Sequence, residues 1–260
     1  MSTTLVTALY DIGRSAWNPT FKRPNDQYLR YLSNILSLDS NIVIYVQQKN
    51  YENVLNLRKL KDPDLKKTKI VVTRFSELEC FQKFYDKTRN VMNSDAFKSR
   101  LIESHTPESK YPEYNIINFN KVSFLEQEIK YNTFNSDYFM WIDAGFYHDK
   151  FPSEYLNITY PNPEKIKVLD DNKVHFLSMD SQIELDSYFS PKVTIAGSMF
   201  AGKAEPLLKL KDLCYSVIED FLNDNAMNDD QTVYAFAYKK NKELFNLTQG
   251  TWFDNFKLYV

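Results

Sequence analysis

A short apolar run that ends at an acidic residue constrains the fold of this chain more than any other feature. Tyr138 to Ile142 form a continuous aromatic-rich apolar run, followed by Asp143, Ala144 and Gly145. The run is too short for a typical helix and predicts a buried parallel strand that places one carboxylate at the edge of its sheet. Ligands of open α/β sheets bind outside the carboxyl ends of the strands. Asp143 could equally cap the next turn, with Gly145 supplying a positive φ.

Composition restricts the class of protein. The chain has 260 residues, of which 43% are hydrophobic and 25% charged, so we expect a sizeable core and little disorder. The net charge is −2 and no Lys/Arg tract stands out, so binding to nucleic acid or to an anionic membrane by charge is not expected. Cys80 and Cys214 lie in helix-like patterns without a CxxC partner, and we interpret them as reduced core thiols.

The apolar segments also predict a location. The chain opens with a strand-like run and shows no basic segment followed by an apolar core and cleavage site, so no secretion signal is expected. No run approaches the roughly 20 apolar residues that span a bilayer. We therefore expect a soluble protein of the cytoplasm without a transmembrane segment.

Strand-like and helix-like segments alternate along the first half of the chain. We predict strands at residues 5–10, 41–46 and 69–74, and helices at 24–38, from a cap at Ser76 to residue 92, and at 122–131. The second half predicts a strand at 174–178 and helices at 204–222 and 231–238, with a surface excursion at 151–171. This alternation predicts an α/β fold with a mostly parallel central sheet and helices on its faces, in a single domain.

Two further segments carry candidate functional residues. Gly197 and Gly202 flank Ser198, and such glycines would let the backbone approach a ligand, or would simply mark a strand bend before a helix. The spacing matches neither a phosphate loop nor a dinucleotide fingerprint. Asn228 to Gln231 open a predicted helix and are good caps. They could also hold sugar hydroxyls or supply a base, provided that they face Asp143.

The histidines exclude one class of enzyme and leave a metal site open. His105 and His175 pair with neither a Cys nor a Gly-x-Ser-x-Gly serine, so a hydrolase triad has no support. Asp143 could hold a divalent cation through its oxygens. His148 could add a ligand, although a single His near a single Asp does not define a metal geometry.

An ordered series of segments carries a resemblance to a known family. The segments are 7–14 (Thr-Ala-Leu-Tyr-Asp-Ile-Gly-Arg), Tyr114 with Asn118, 120–125 (Asn-Lys-Val-Ser-Phe-Leu), 131–134, 138–145, 197–202 and 229–231. Together they resemble the HtrL/YibB–WlaTC family of bacterial proteins proposed as glycosyltransferases. The Trp-Ile-Asp-Ala-Gly core is the most specific part. More distantly, the layout is similar to plant xylosyl- and galactosyltransferases of the GT-A fold, with a helix lysine, a Trp-x-Asp-x-Asp strand end and a late Asp-Gln.

The resemblance implies a single GT-A-like, Rossmann-like domain over residues 1–260 that binds a nucleotide-sugar donor at the carboxyl edge of its sheet. It implies a nucleotide-sugar-binding half at 1–145 and an acceptor-side half at 146–260. The implied donor-binding residues are Thr7, Tyr10 and Asp11 beside the nucleoside, Arg14 and Lys121 at the diphosphate, Asp143, and Gly197, Ser198 and Gln231 at the sugar. The implied catalytic residues are Asp143, Asp229 and Asp230.

The resemblance also implies a divalent cation, Mn²⁺ or Mg²⁺, held by Asp143. The usual Asp-x-Asp motif reads Asp-x-Gly here, because Gly145 replaces the second acid. His148, Asp149 or Asp254 would then have to supply another ligand.

Two hypotheses from different classes follow. The first is a hexosyl- or pentosyltransferase of glycan biosynthesis that moves a sugar from a nucleotide sugar, with a UDP-sugar expected, to a glycan, a protein or another hydroxyl acceptor. The alternative is a non-catalytic nucleotide- or carbohydrate-binding protein on the same fold, which the missing second acid favours. A nucleotidyltransferase or sugar-phosphate enzyme would need more clustered carboxylates. The stereochemical outcome and the oligomeric state stay open.

Overall fold

The computed structural model describes residues 1–148 and 151–260. The strands are β1 (Thr3–Leu9), β2 (Asn41–Val46), β3 (Thr68–Val72), β4 (Tyr138–Ile142), β5 (Val174–Ser178), β6 (Ile195–Gly202) and β7 (Phe245–Gln249). The α-helices are α1 (Asn25–Leu36), α2 (Tyr51–Lys59), α3 (Glu79–Asn93), α4 (Asp95–Lys98), α5 (Pro107–Lys110), α6 (Pro112–Phe119), α7 (Lys121–Tyr131), α8 (Pro163–Lys167), α9 (Ala204–Asn223), α10 (Asp230–Lys240) and α11 (Asp254–Lys257).

The strands form one sheet in the order β3-β2-β1-β4-β6-β5-β7. Strand β1 is parallel to β2 and β4, β2 is parallel to β3, and β5 is parallel to β7. Strand β6 is antiparallel to both of its neighbours, β4 and β5. The predicted α/β fold with a mostly parallel sheet is therefore confirmed. The sheet continues across the predicted boundary at residue 145, and the assignment of donor and acceptor halves stays a prediction.

Two hydrophobic cores lie on opposite faces of the sheet because successive side chains of a strand point to opposite sides. Leu5 packs with Leu32 of α1 in the core that α2, α8 and α11 also cover. Val6 packs with Phe124 of α7 in the larger core, to which α3, α6, α9 and α10 also contribute. The prediction of helices on both faces is confirmed.

The antiparallel direction of β6 brings distant residues to the end of β4. Strand β4 is buried along its whole length, and its carboxyl end lies next to that of β1 because the two strands are parallel. Ile142 pairs with Met199 of β6, and the backbone N–H of Asp143 donates to the carbonyl of Ser198 at 2.8 Å. Gly197 and Ser198 therefore lie beside Asp143 at the carboxyl edge of the sheet.

The structure corrects two predictions about helices and loops. Ser76 does not cap α3, because it lies in a 3-10 turn and the helix begins at Glu79 with Leu78 as its N-cap. The segment 151–171 is not a simple surface excursion, because Tyr160 is 1% exposed and stacks on Phe256 with ring centroids 4.0 Å apart. This segment completes one of the two cores.

Two further observations concern the cysteines and the helices. Cys80 and Cys214 are buried and unbridged, as predicted for core thiols. None of the helices in the described part of the chain combines the length and the apolar character that crossing a bilayer requires.

Candidate active site

A cleft lies at the carboxyl ends of β1 and β4. Its volume is about 280 Å³, close to the lower end of the range for small-molecule sites, roughly 300–1,000 Å³. Residues from the ends of both strands, the loop after β1, and helices α1, α6 and α7 line it. The charged and aromatic side chains among them include Tyr10, Arg14, Arg23, Tyr28, Lys121 and Asp143.

Lys121 joins three elements at the inner wall of the cleft. Its Nζ donates to Oδ2 of Asp143 at 3.1 Å and lies 2.9 Å from Oδ1 of the same carboxylate. The same nitrogen donates to Oδ2 of Asp230 at 2.8 Å and to the carbonyl of Gly197 at 3.1 Å. Lys121 is the first residue of α7, where a cation opposes the helix dipole. The two carboxylates, and not the helix, therefore hold the ammonium group in place.

Burial and neighbouring charges act in opposite directions on these groups. Burial alone would lower the pKa of Lys121, but the charges of Asp143 and Asp230 outweigh it and raise that pKa above its usual value. Burial raises the pKa of Asp143, reinforced by the charge of Asp230 and opposed by that of Lys121. The side chain of Asp143 is 29% exposed, whereas that of Asp230 is 6% exposed. A ligand in the cleft can therefore contact Asp143, while Asp230 lies behind Lys121.

Trp141 fixes the orientation of the Asp143 carboxylate. Its Nε1 donates to Oδ1 of Asp143 at 2.6 Å. The two side chains point to the same face because residues i and i+2 of a strand share a side. The indole ring is stacked against Phe124 with ring centroids 5.9 Å apart, so the core of the domain holds the donor. The Trp-x-Asp spacing in the sequence thus has a direct structural purpose.

Arg14 also lines the cleft and lies among aromatic rings. Its Nη1 donates to the hydroxyl of Tyr28, and its Nη2 donates to the carbonyl of Phe21 at 3.2 Å. The guanidinium carbon lies 4.8 Å from the ring centroid of Trp17 and 5.7 Å from that of Tyr114. Its Nε is buried and has no hydrogen-bond partner within the described residues. Arg14 is therefore a fixed cation with donor capacity left over.

The residues predicted beside the nucleoside occupy three different environments. Tyr10 lines the cleft, and burial raises the pKa of its phenol, so the hydroxyl is neutral. Thr7 is fully buried in β1 and does not line the cleft. The carboxylate of Asp11 accepts from Nζ of Lys49 at 2.5 Å and from the N–H of Gly13 at 2.9 Å, and it also lies outside the lining. Of the three, Tyr10 is the one placed to contact a ligand.

Helix α10 begins behind Lys121. Asp229 is its N-cap: Oδ1 accepts from the N–H of Thr232 at 3.2 Å, and Oδ2 accepts from Nε2 of Gln231 at 2.9 Å. Burial, together with the charges of Asp230 and Glu108, raises the pKa of Asp229 to about 7. The capping interpretation of this segment is confirmed for Asp229.

Gly197 lets α10 approach β6. A Cβ atom at this position would lie 2.2 Å from Oδ2 of Asp230 and 3.1 Å from the ring of Tyr234. The hydroxyl of Ser198 and Oε1 of Gln231 are buried, without a hydrogen-bond partner in the described part of the chain. The layer behind Lys121 thus contains Gly197, Ser198, Asp229, Asp230 and Gln231, none of which lines the cleft itself.

Comparison with known proteins identifies the family. A family model described as "Bacterial protein of unknown function (HtrL_YibB)" matches residues 1–260. The chain belongs to the HtrL_YibB family. It is 26% identical over 277 residues to Protein HtrL of Escherichia coli (strain K12), with 99% of this chain and 92% of the relative covered. The family that the sequence segments indicate is thus confirmed.

Two solved structures are similar to this family member at low sequence identity. Mouse xyloside xylosyltransferase 1 in its apo form is 12% identical, with a TM-score of 0.48, and the match covers 100% of this chain and 93% of that chain. A 4-diphosphocytidyl-2C-methyl-D-erythritol synthase from Anaerococcus prevotii is 12% identical, with a TM-score of 0.42, covering 98% and 88% of the two chains. The site is therefore interpreted from the side chains of this chain alone.

A divalent cation needs several oxygen ligands, and the described residues do not assemble them. Both oxygens of Asp143 already accept hydrogen bonds, from Lys121 and from Trp141. No group of three Asp, Glu, His or Cys side chains that could hold a metal ion occurs in residues 1–148 and 151–260. Among the described residues that line the cleft, Asp143 is the one carboxylate, so a cation held there would need ligands from outside this set.

The other predicted metal ligands are placed as follows. The carboxylate of Asp254 accepts from the backbone and hydroxyl of Thr251 and from Lys257. His148 lines the cleft, and Asp149 lies outside the described residues. A Mn²⁺ or Mg²⁺ ion at Asp143 stays a prediction.

Several polar residues of the cleft were not predicted from the sequence. Arg23, Tyr28 and Tyr31 line it together with Arg14. The segment that follows the first strand is rich in Arg and aromatic residues, and this composition could have indicated them.

Proposed function

We propose that this member of the HtrL_YibB family is a glycosyltransferase that moves a sugar from a nucleotide sugar to a hydroxyl group of a glycan or protein. One observation supports this above all others. At the carboxyl edge of the sheet, Arg14, Arg23 and Lys121 line the same cleft as Asp143. This edge is where open α/β sheets bind ligands.

The charges around the cleft favour an anionic donor. Three cationic side chains line the cleft, while Lys121 alone pairs with the carboxylates of Asp143 and Asp230, which leaves the charges of Arg14 and Arg23 for a diphosphate. Aromatic rings line the cleft beside these charges, and such rings are surfaces on which a nucleoside base can stack. A nucleoside diphosphate linked to a sugar carries both features, and a UDP-sugar is the first donor to test.

The chemistry would consist of departure of the nucleoside diphosphate. Lys121 and Arg14 are cations held in place before the reaction begins, so they could stabilise the charge that develops on the leaving group without reorganisation. Asp143, which is partly exposed and oriented by Trp141, could accept hydrogen bonds from hydroxyls of the donor sugar.

An inverting reaction would also need a base at the acceptor hydroxyl, whereas a retaining reaction would not. Of the two candidate acids, neither of which lines the cleft, Asp229 suits this task better than Asp230. The pKa of Asp229 is raised to about 7, near the value at which a base works best at neutral pH. Asp230 is 6% exposed and its carboxylate binds Lys121.

A second candidate function is binding of the nucleotide sugar without transfer. It is favoured by the structural tasks of two candidate catalytic acids, since Asp229 caps α10 and Asp230 binds Lys121. The two functions differ in turnover. A transferase releases some sugar to water in the absence of an acceptor, whereas a binding protein leaves the donor intact.

The first experiment is a thermal-shift panel of UDP, GDP, CDP, ADP and the matching nucleotide sugars, each with EDTA and with Mn²⁺. A ligand that binds only the folded state at about 100 times its Kd adds roughly 2.7 kcal/mol of stability. A shift with one nucleoside diphosphate identifies the donor class. Donor hydrolysis is then followed by chromatography. No shift with any ligand would contradict the proposal.

The second experiment uses a matched pair of variants at the two ends of β4. Asp143 at its carboxyl end binds Trp141 and Lys121, while Asp171 at its amino end accepts from Tyr138 and pairs with Lys203 at 2.5 Å. Asp143→Asn should lose donor hydrolysis by about 100-fold or more, the scale for removing a preorganised polar group. Asp171→Asn should retain it. Normal turnover by Asp143→Asn would refute the assigned site.

A further inference from the structure

Gly145 is the residue that replaces the second acid of the Asp-x-Asp motif, and it packs directly against Tyr28. A Cβ atom on Gly145 would lie 2.9 Å from Cε1 of Tyr28 and 3.4 Å from its Cδ1. Glycine here serves space and not conformation, because the backbone does not adopt the left-handed conformation and an added Cβ would force the Tyr28 ring to shift. The ring of Tyr28 therefore occupies the place where an acidic side chain at position 145 would begin.

The same tyrosine holds a cation at the cleft. Its hydroxyl accepts a hydrogen bond from Nη1 of Arg14, and the guanidinium carbon lies 5.4 Å from the centroid of its ring. Burial raises the pKa of Tyr28, so its hydroxyl is neutral and can accept from the guanidinium group. Arg14 forms no ion pair with a carboxylate within residues 1–148 and 151–260. Its charge is therefore available to an anion that enters the cleft.

The packing of Tyr28 against Gly145 and the contact of Tyr28 with Arg14 depend on each other. A bulky residue at position 145 would displace the ring of Tyr28, and without that ring Arg14 would lose both its hydrogen bond and a stacking surface. Lys121 already bridges Asp143 and Asp230, so the single carboxylate of the motif is paired with a side-chain cation. The cleft thus contains the ammonium group of Lys121 and the guanidinium group of Arg14, while the ring of Tyr28 takes the space of a second acid at position 145.

We propose that Tyr28 is a positioning residue that directs Arg14 towards the diphosphate of the donor, so that Arg14 and Lys121 neutralise the diphosphate in place of a metal ion bound by two acids. This inference rests on the proposed function, because it assumes that a nucleoside diphosphate occupies the cleft. It assigns Gly145 a role in admitting Tyr28, and it makes tight diphosphate binding independent of divalent cations.

The test measures binding of UDP and of inorganic pyrophosphate by isothermal titration calorimetry, in EDTA and in Mn²⁺. For the unmodified protein we expect affinities in the two buffers to agree within about 3-fold, since the cations are part of the chain. Tyr28→Phe keeps the ring beside Gly145 and removes only the hydroxyl that accepts from Arg14. It should weaken binding of both probes by about 3- to 10-fold. Arg14→Gln should weaken binding by about 10-fold or more.

Two controls separate positioning from general stability. Tyr85→Phe removes a half-buried hydroxyl that donates to Glu113, and because neither residue lines the cleft, it should leave both affinities unchanged. In the Arg14→Gln background, Tyr28→Phe should cause no further loss, because the hydroxyl acts through Arg14. A purely structural effect of Tyr28→Phe would instead persist in that background.

The outcomes distinguish this inference from the function on which it rests. If the unmodified protein binds UDP or pyrophosphate only when Mn²⁺ is present, the inference is wrong and the proposed function stands. If the losses from Tyr28→Phe and Arg14→Gln are additive, the positioning role of Tyr28 is wrong. If neither UDP, the other nucleoside diphosphates nor pyrophosphate binds in either buffer, both proposals are wrong.

Discussion

Lys121 offers the sharpest test of the site, because the chain contains a second buried lysine with the same kind of environment. Nζ of Lys121 contacts two carboxylates and one carbonyl at 2.8–3.1 Å, and its side chain is 5% exposed. Nζ of Lys211 on α9 also pairs with two carboxylates, those of Glu79 and Glu126, and its side chain is 9% exposed. Lys121 lines the cleft and Lys211 does not.

Replacing either lysine with methionine keeps most of the side-chain volume and removes the charge. Lys121→Met leaves Asp230 buried at 6% exposure without its cation, and breaking a buried pair in this way costs about 3–5 kcal/mol. Lys211→Met leaves Glu79 at 37% and Glu126 at 17% exposure, where water can solvate them, so its cost should be smaller. At about 2–4 °C per kcal/mol for a domain of this size, Lys121→Met should lower Tm by roughly 10 °C.

The assay combines thermal unfolding with calorimetric binding of UDP and pyrophosphate at a temperature at which both variants are folded. Lys121→Met should lose binding of both ligands, whereas Lys211→Met should keep it. The double variant Lys121→Met/Asp230→Asn removes the stranded charge, so it should recover part of the lost stability but not the binding. Equal loss of binding in the two single variants, or retained binding in Lys121→Met, would refute the role of Lys121 as the cation of the site.

Three further predictions concern stability and pH. The pKa of Asp229 in the folded protein is raised to about 7, so its contribution to stability is present below the unfolded value of 3.8 and is lost as the pH rises through 7. In urea denaturation, Asp229→Asn should therefore unfold like the unmodified protein near pH 4. Above pH 8 the variant should be about 1–2 kcal/mol more stable than the unmodified protein. Gly197→Ala places a Cβ 2.2 Å from Oδ2 of Asp230, so it should lower the free energy of unfolding by about 1–3 kcal/mol. It should also weaken UDP binding through displacement of Lys121, and an unchanged affinity would contradict that coupling. Arg58 is 1% exposed and donates to three backbone carbonyls, so Arg58→Met should cost more than about 3 kcal/mol yet leave UDP affinity unaltered in the folded fraction.

The fold was predictable wherever an element carries a clear hydrophobic pattern. Strands β2 and β5 match the predicted spans, since both are continuous apolar or β-branched runs that become buried. Helix α2 was missed because only Val54 and Arg58 of its residues are buried, which leaves no strong apolar stripe. Strand β7 was missed because a single residue, Phe245, is buried at this edge of the sheet. The antiparallel direction of β6 has no local signal, since it depends on which neighbours the strand joins.

The candidate site was predictable in its components but not in their arrangement. Asp143 and Asp230 lie 22 and 109 residues after Lys121 in the chain, and three different elements bring the three residues together. A sequence motif identifies each residue type, yet motifs cannot distinguish an acid that faces the cleft from one that lies behind a lysine. That distinction depends on the packing of α10 against Gly197, which is a long-range contact.

The replacement of an acid by Gly145 shows how the same sequence feature can support opposite conclusions. Considered by itself, the missing carboxylate suggests a site that has lost a metal ligand and, with it, activity. In the folded chain, the glycine admits the ring of Tyr28, and the hydroxyl of that ring holds Arg14 at the cleft. On the proposed function, the charge that a metal would supply would come from side chains of the loop after β1 and of α7. Glycine at position 145 and the contact between Tyr28 and Arg14 are therefore two parts of one arrangement, which is why we propose metal-independent binding of the diphosphate and not inactivity.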